Sequence, residues 1–565
     1  MPNPLKFFKL RFWLIGLALA GAVLLVGFIT TDDDDLFEIS KNMEIFRDLY
    51  VAINESYVDE TNPTELMRTG IESMLGSLDP YTNYFSESQI EYAKLLNSGQ
   101  YSGIGAEVGL KEGEVVIIEL FGGGPAAAAE MHVGDVLQKI DNIDLMEEGL
   151  SLDEVRSLLL GEKGSEIKLT FQRGAMPTPI TVTLERGGGE EDGEDVPYYG
   201  MINDKIGYIL LTAFRGTAAF EVQSAAETLK AENPELSGLV LDLRGNPGGR
   251  LDQAVDICNL FIRQGEKIVE MRGRTLDSRN VFYTRMPPWD TEIPIAVVVN
   301  DRSASASEIV SGAIQDLDRG VIVGQLSFGK GLVQRVKPLT RSPETQMKIT
   351  IAKYYTPSGR CIQALDYSNR APDGTVSRVA DSLVQAFETR NGRTVYDGGG
   401  VDPDIKVEAP EEAPVLLALE SQNLIFNFAS EFANQRSSIA PARSFAVTDS
   451  IYDAFTAYVE AQDFDFNTAT EQQLEAMEEV LARQDHAEEL TPQLEALRDQ
   501  LRAQKDQDLY RYRSIIEESL REEIIRRFYF QEGVIESSFD RDPELKAAVE
   551  VLQEPDRYRA ILEGN

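Results

Sequence analysis

The spacing of apolar residues divides the chain before any other property is considered. Over residues 36–97 they recur at helical intervals, as in MEIFRDLYVAINESYV, and SLDPYTNYF then breaks the pattern, which predicts helices closed by a turn. From about Gly99 the runs shorten to strand length. SGIGAEVGL, EVVIIEL and EIKLTFQR predict strands, and SLDEVRSLLL predicts a helix opened by Ser151 with Glu154 at the capping-box position. Residues 186–197, RGGGEEDGEDVP, read as a Gly- and acid-rich linker.

Beyond the linker, strands alternate with helices. KIGYILLTAF precedes a helix in TAAFEVQSAAETLKAE, and GLVLDLR precedes one from about Leu251. IPIAVVVN precedes a helix from about Ser305, which leads to GVIVG. Apolar strands separated by helices predict a largely parallel sheet covered on both faces. From about Glu408 the pattern turns to long helices rich in Glu, Gln, Ala, Leu and Arg, as in EQQLEAMEEVLARQ. The expected fold class is a multidomain α+β and α/β chain, divided at 1–35, 36–97, 98–186, 187–408 and 409–565.

Lys6, Lys9 and Arg11 precede an uninterrupted apolar run at residues 12–29, and TDDDD follows it. The run reaches the lower limit for crossing a bilayer and exceeds the usual signal-peptide core of about 7–15 residues. Basic residues before it and acidic residues after it orient the bulk of the chain outside the cytoplasm. ALAGA within the run is also a candidate cleavage site, so the segment reads first as a membrane anchor and second as a removed signal. The expected location is the cell envelope, on the periplasmic side of the inner membrane.

Charge narrows the partners. The 94 acidic residues outnumber the 54 Lys and Arg, for a formal net charge of −40. That argues against a nucleic-acid partner and against a polybasic grip on anionic lipid. Two cysteines, Cys258 and Cys361, are too few for a zinc site or a disulfide framework. AVDICNLFI makes Cys258 a buried core thiol, and the sequence does not say whether the two pair.

Candidate chemistry converges on three loops, because sites in parallel sheets form at the carboxyl ends of strands. RGNPGGR follows GLVLDL, DRSASASE follows IPIAVVVN, and QLSFGKG follows GVIVG. A right-handed crossover joining the last two strands brings Lys330 beside the serine loop. Ser305, with Glu308 three residues on, reads as a capping box. It also reads as a nucleophile at a helix start, where backbone N–H groups favour developing negative charge. The N–H of Ala306 with that of Gly248 or Gly249 is a candidate oxyanion hole. The two histidines, His132 in EMHVGDVLQKID and His486 in the acidic tail, read as surface or packing residues. Lysine therefore remains as the base. A lysine base must be neutral, with a pKa brought from about 10.4 to about 7–8, which burial achieves. Gln334 is spaced to accept a hydrogen bond from Lys330. GQLSFGKG also matches the start of a phosphate-binding loop, but Gly331 stands where Ser or Thr would hold magnesium. LVQRVKPLT then alternates like a strand instead of opening a helix.

Taken jointly, SASASEI, FGKGLVQ, LDLRGNPGG, AKYYTPSGR and GGGVDPDI resemble the motifs of the carboxy-terminal processing peptidases, also called tail-specific proteases. GIGAEV, GGGPAAAAEMHVGDVLQKIDN and the helix after Ser151 resemble the PDZ domain those enzymes carry ahead of their catalytic core. The resemblance covers roughly residues 40–408. It implies a PDZ-like domain at 98–186 and a serine protease core at 187–408, with Ser305 as nucleophile, Lys330 as general base and Gln334 positioning the lysine. It further implies structural support from Asp316, with Ser303 and Ser307 as loop and helix residues. In the PDZ module it implies a groove that takes a substrate C-terminus as an added strand. The backbone N–H groups of Gly103, Ile104 and Gly105 would hold the carboxylate, and residues 152–160 would form the other wall.

The expected function is thus a serine endopeptidase cleaving exported proteins or peptides near exposed apolar C-termini, without metal or cofactor. Expected partners are those substrates, an activating adaptor, the membrane through the N-terminal segment, and a second copy of the chain. The alternative is a non-enzymatic PDZ scaffold with a decayed protease core. The tail 409–565 aligns with no shared motif. It reads as a partner-docking or dimer-contact region, or as a solvated helical appendage.

Overall fold

The computed structural model describes residues 33–85, 101–187, 194–339, 345–371, 374–409, 413–462, 464–481, 487–505 and 507–564. The apolar run at 12–29 and His486 lie outside them. Among the described residues no helix is long and apolar enough to cross a membrane.

Among the described residues the N-terminal unit has two helices, α1 (Asp33–Ser56) and α2 (Pro63–Gly76). Asn62 caps α2 by accepting from the N–H groups of Thr64 and Glu65, and Pro63 occupies the first helical position, where no N–H is needed. The expected turn is held by Asp79, whose carboxylate accepts from Tyr81 N–H and Thr82 N–H at 2.9 and 2.8 Å.

The next body is an antiparallel sheet of β1 (Ala106–Lys111), β2 (Glu114–Leu120), β3 (Val136–Ile140), β4 (Glu166–Gln172) and β5 (Ile180–Glu185), paired in that order. Between β3 and β4 the chain forms α3 (Leu152–Leu159), whose start is the capping box expected from Ser151 and Glu154. Ile104, Ile117, Val155, Leu169 and Phe171 form its buried core. Strand β1 is an edge of this sheet, and α3 packs beside it.

The larger body follows the expected alternation. Its chain order is β6 (Tyr198–Met201), β7 (Ile206–Leu210), α4 (Ala218–Glu232), β8 (Gly238–Asp242), α5 (Leu251–Phe261), β9 (Lys267–Gly273) and β10 (Asn280–Tyr283). Then come β11 (Ile295–Val299), α6 (Ala306–Asp316), β12 (Val321–Gly324), β13 (Leu332–Pro338), β14 (Gln346–Tyr355) and β15 (Ile405–Lys406). The main sheet has the order β6-β7-β8-β11-β12-β15, parallel throughout except for β6. Residues of α4, α5 and α6 bury one face, with Cys258 fully enclosed, and both cysteines are free thiols. Strands β13, β14, β9 and β10 pair antiparallel in a separate sheet that the alternation pattern did not announce.

The C-terminal end of the acid-rich linker is packed. Asp195 is fully buried and accepts from Arg215 N–H at 3.1 Å, while the N–H groups of Asp195 and Val196 donate to Glu221. Residues 194–197 therefore belong to the larger body.

The tail supplies α7 (Leu424–Asn434), α8 (Asp449–Ala461), α9 (Arg513–Ser538), α10 (Pro543–Gln553) and α11 (Pro555–Glu563). Helices α7 and α8 and the first part of α9 share a core of Phe428, Phe455, Leu520 and Ile524. Phe426 and Phe530 pack onto the antiparallel-sheet body of β1–β5. Leu545, Ala548, Val551 and Leu552 of α10 cover the second face of the main sheet, against Val240, Ala296, Val298, Val321 and Val323. That segment is core, not a solvated appendage. Its acidic residues face outward or meet Arg244, which is why composition alone concealed it.

Candidate active site

Strand β11 is wholly buried, and the turn after it carries the three serines on separate errands. Ser303 donates its hydroxyl to Leu243 C=O at 2.8 Å and accepts from Asn300 N–H at 2.9 Å. Ser307 donates to Asn246 C=O at 2.9 Å. Both hydroxyls hold the loop. Ser305 sits between them at φ 57° and ψ −109°, a conformation that side chains rarely adopt. Such strain persists only where the surroundings impose it, and it clusters at functional sites. A strained serine on a sharp strand-to-helix turn is also how α/β-hydrolases expose a nucleophile.

The glycine loop lies against this turn. A Cβ on Gly248 would stand 2.7 Å from Ala304 O and 2.8 Å from Ala306 N, so only glycine allows the approach. The two glycines differ as donors. Gly248 N–H is taken by Asn246 Oδ1 at 2.9 Å, whereas the N–H groups of Gly249 and Ala306 have no partner among the described residues. Gly249 with Ala306 is accordingly the available donor pair.

Lys330 reaches the serine loop as the crossover predicts, and Phe328 N–H donates to Ser303 C=O at 3.1 Å. Ser305, Lys330 and Gln334 line one cleft of about 570 Å³, with Leu251, Ile309 and Leu332 among its apolar walls. Gln334 donates from Nε2 to Thr350 Oγ1 at 3.2 Å, which leaves its Oε1 as the acceptor suited to a lysine.

The residue that joins the two loops was legible only as a helix cap. Glu308 is fully buried. One carboxylate oxygen accepts from Ser327 Oγ and Gly329 N–H at 2.6 and 2.7 Å, the other from Ser305 N–H and Lys330 N–H at 2.8 and 2.9 Å. Burial pushes its pKa up, and these donors pull against that. Glu308→Gln replaces one acceptor oxygen with an NH2 facing donors. We expect it to cost about 2–4 kcal/mol and to remove most peptidase activity, read as a lowered melting midpoint and a reduced turnover.

Asp316 lies at the far end of α6 and forms an ion pair with Arg360 at 2.9 Å, both side chains being buried. It also accepts from Ser358 N–H at 2.9 Å, so it braces the TPSGR turn and does not line the cleft. His132 is exposed in the PDZ-like body, with Nδ1 3.3 Å from Asn434 Oδ1.

In the PDZ-like body the carbonyls of Gly103, Ile104 and Gly105 accept from Gly187, Ala126 and Phe121. Their N–H groups have no partner among the described residues. Gly105 has φ 77°, and a Cβ there would stand 2.8 Å from the Gly124 Cα. Arg156 on α3 spans the groove and donates to Val108 C=O of the edge strand at 3.1 Å.

Residues 205–373 match peptidase family S41, residues 122–173 a PDZ domain, and residues 415–552 the "Probable PDZ-protease, C-terminal helical domain". A carboxy-terminal-processing protease of Bartonella bacilliformis is 32% identical over 393 residues, covering 69% of this chain and 87% of its own. The chain belongs to peptidase family S41. The carboxy-terminal processing protease CtpA of Bacillus subtilis is also 32% identical, over 55% of this chain and 65% of that protein. The solved photosystem II D1 C-terminal processing protease is 25% identical over 67% of this chain and 95% of its own, with a TM-score of 0.35. As an S41 member the chain is a serine-type peptidase with a PDZ domain and a helical C-terminal domain.

Proposed function

We propose that this peptidase is an endopeptidase in which Ser305 attacks the scissile carbonyl and Lys330 takes the hydroxyl proton and returns it to the leaving amine. Water then resolves the acyl-enzyme by the same route. The observation that carries the reading is the common cleft: Ser305 and Lys330 both line it, and their N–H groups share one Glu308 oxygen. Gln334 orients the lysine, and the N–H groups of Ala306 and Gly249 receive the oxyanion. An oxyanion donor of this kind typically supplies about 2.7–4 kcal/mol of transition-state stabilisation.

The substrates are exported proteins or peptides with an exposed apolar C-terminus. The cleft walls of Leu251, Ile309 and Leu332 support apolar side chains near the cut. The PDZ groove takes the C-terminus as a strand along β1, with the carboxylate on the N–H groups of residues 103–105, which have no partner among the described residues. A ligand strand there competes with Arg156 for Val108 C=O, so entry is coupled to a side-chain movement in the groove. The basic flank, the apolar run at 12–29 and the acidic residues after it support tethering to the periplasmic side of the inner membrane.

Recognition is tested with the full-length Ser305→Ala variant, which binds without cutting. A peptide with a free apolar C-terminus is expected to bind about 10- to 100-fold tighter than its C-terminal amide, the value of charge-assisted hydrogen bonds. Equal affinity in fluorescence anisotropy would rule out carboxylate capture.

A further inference from the structure

Tyr354 stands near the end of β14, between β9 and β13, the strand that follows the Lys330 loop. Its side chain is 1% exposed. Its hydroxyl lies 2.9 Å from the carbonyl oxygen of Ser305 and 2.7 Å from that of Lys330. On the N–H side of the same two residues, one oxygen of Glu308 accepts from Ser305 and Lys330 at 2.8 and 2.9 Å. The main chains of both residues are therefore tied twice, N–H to N–H through a carboxylate and C=O to C=O through a phenol.

From this arrangement we infer that Tyr354 is a positioning residue, whose hydroxyl sets the separation of Ser305 and Lys330. The inference rests on the reading of Ser305 as nucleophile and Lys330 as base. The need for such a tie follows from the chain path. Ser305 is held in a strained backbone conformation after β11, and Lys330 lies on a different loop after β12. Two buried carbonyl oxygens on neighbouring loops repel unless a donor stands between them; the Ser305 carbonyl is also held within its own helix by Glu308 and Ile309 N–H at 3.0 Å, and the Tyr354 hydroxyl is the group that contacts both carbonyls. Without it, the carbonyls relieve the repulsion by moving the loops apart. A displacement of the order of 1 Å between reacting groups costs roughly 100-fold in rate. The same strand carries Thr350, which receives the Gln334 amide, so β14 touches all three proposed site residues from outside the reaction.

Tyr354→Phe removes only the oxygen and keeps the ring that fills the site. It is assayed as the full chain beside Ser305→Ala and Lys330→Ala, with a peptide carrying a free apolar C-terminus. The expected result is a kcat about 10- to 100-fold below wild type with KM within about twofold. The deficit should persist well below the melting midpoint measured by circular dichroism. A wild-type kcat, a change confined to KM, or a deficit that disappears on cooling would each overturn the role of Tyr354 while an inactive Ser305→Ala left the nucleophile standing. Activity retained by Ser305→Ala would overturn the nucleophile assignment and this inference together.

Discussion

Ser305→Ala is expected to abolish cleavage, with turnover falling about 10⁴-fold or more, while Ser303→Ala and Ser307→Ala keep catalysis and lose stability. The three serines differ by what their hydroxyls already do. Ser303 spans Leu243 C=O, which also accepts from Asn246 N–H at 3.2 Å, and the half-buried Asn300 N–H, so its removal takes the hydroxyl partner from both and should cost about 1–3 kcal/mol. Ser307 supports only Asn246 C=O, which also accepts from Ala304 N–H at 3.0 Å, so about 1 kcal/mol is expected there. Lys330→Ala should match Ser305→Ala. Lys330→Arg is the sharper control, because a guanidinium keeps the charge and cannot be deprotonated in a protein. Mass spectrometry of a long peptide with an apolar free C-terminus reads all five variants at once, and melting curves separate chemistry from stability. Substantial cleavage by Lys330→Arg would show that the lysine acts as a charge and not as a base.

Much of this site was legible because its parts lie in short contiguous motifs at strand ends. The alternation of IPIAVVVN, helix and GVIVG was enough to bring the serine and lysine loops together, since one right-handed crossover allows little else. What escaped was set by burial and by partners distant in sequence. Glu308 has the spacing of an ordinary helix cap, and nothing local tells that both of its oxygens serve another loop. Tyr354 lies in a quoted motif, but its contact with Ser305 spans 49 residues and depends on the register of β13 with β14. The equivalence of Gly248 and Gly249 was broken only by Asn246, whose side chain claims one N–H. For the tail, charged residues on the outer side of each helix outweighed the apolar stripe in any compositional reading. Its alternatives, docking region or solvated appendage, missed the third outcome of a face completing a sheet.

That outcome makes the second large prediction. Deleting residues 540–565 is expected to leave no soluble, folded peptidase, although every proposed site residue remains. The main sheet presents Val240, Ala296, Val298, Val321 and Val323 on the face that α10 covers, and all are completely buried. Parallel strands require cover on both faces, and exposing a contiguous apolar face of this kind drives aggregation. The connection is also polar. Arg244, two residues beyond the end of β8 and just before the glycine loop, pairs with Asp242 at 2.6 Å and with Asp542 and Glu544 at 2.6 and 2.5 Å. Loss of the tail leaves that guanidinium with one carboxylate and loosens the loop carrying the oxyanion donors. A graded version is Leu545→Ala, expected to cost about 2–5 kcal/mol as a large-to-small change at a fully buried position. The contrasting deletion replaces residues 469–505 with a short linker. Helices Ala469–Leu481 and Ala487–Lys505 pack on each other and expose most of their side chains, so the peptidase should keep its melting midpoint and turnover. Size-exclusion chromatography and thermal melts of the two deletions decide the matter. A soluble, active chain lacking 540–565 would refute the sheet-covering role, because the deletion removes Leu545, Ala548, Val551, Leu552 and Tyr558 and leaves Ile535 and Phe539 as that face's remaining helical cover among the described residues.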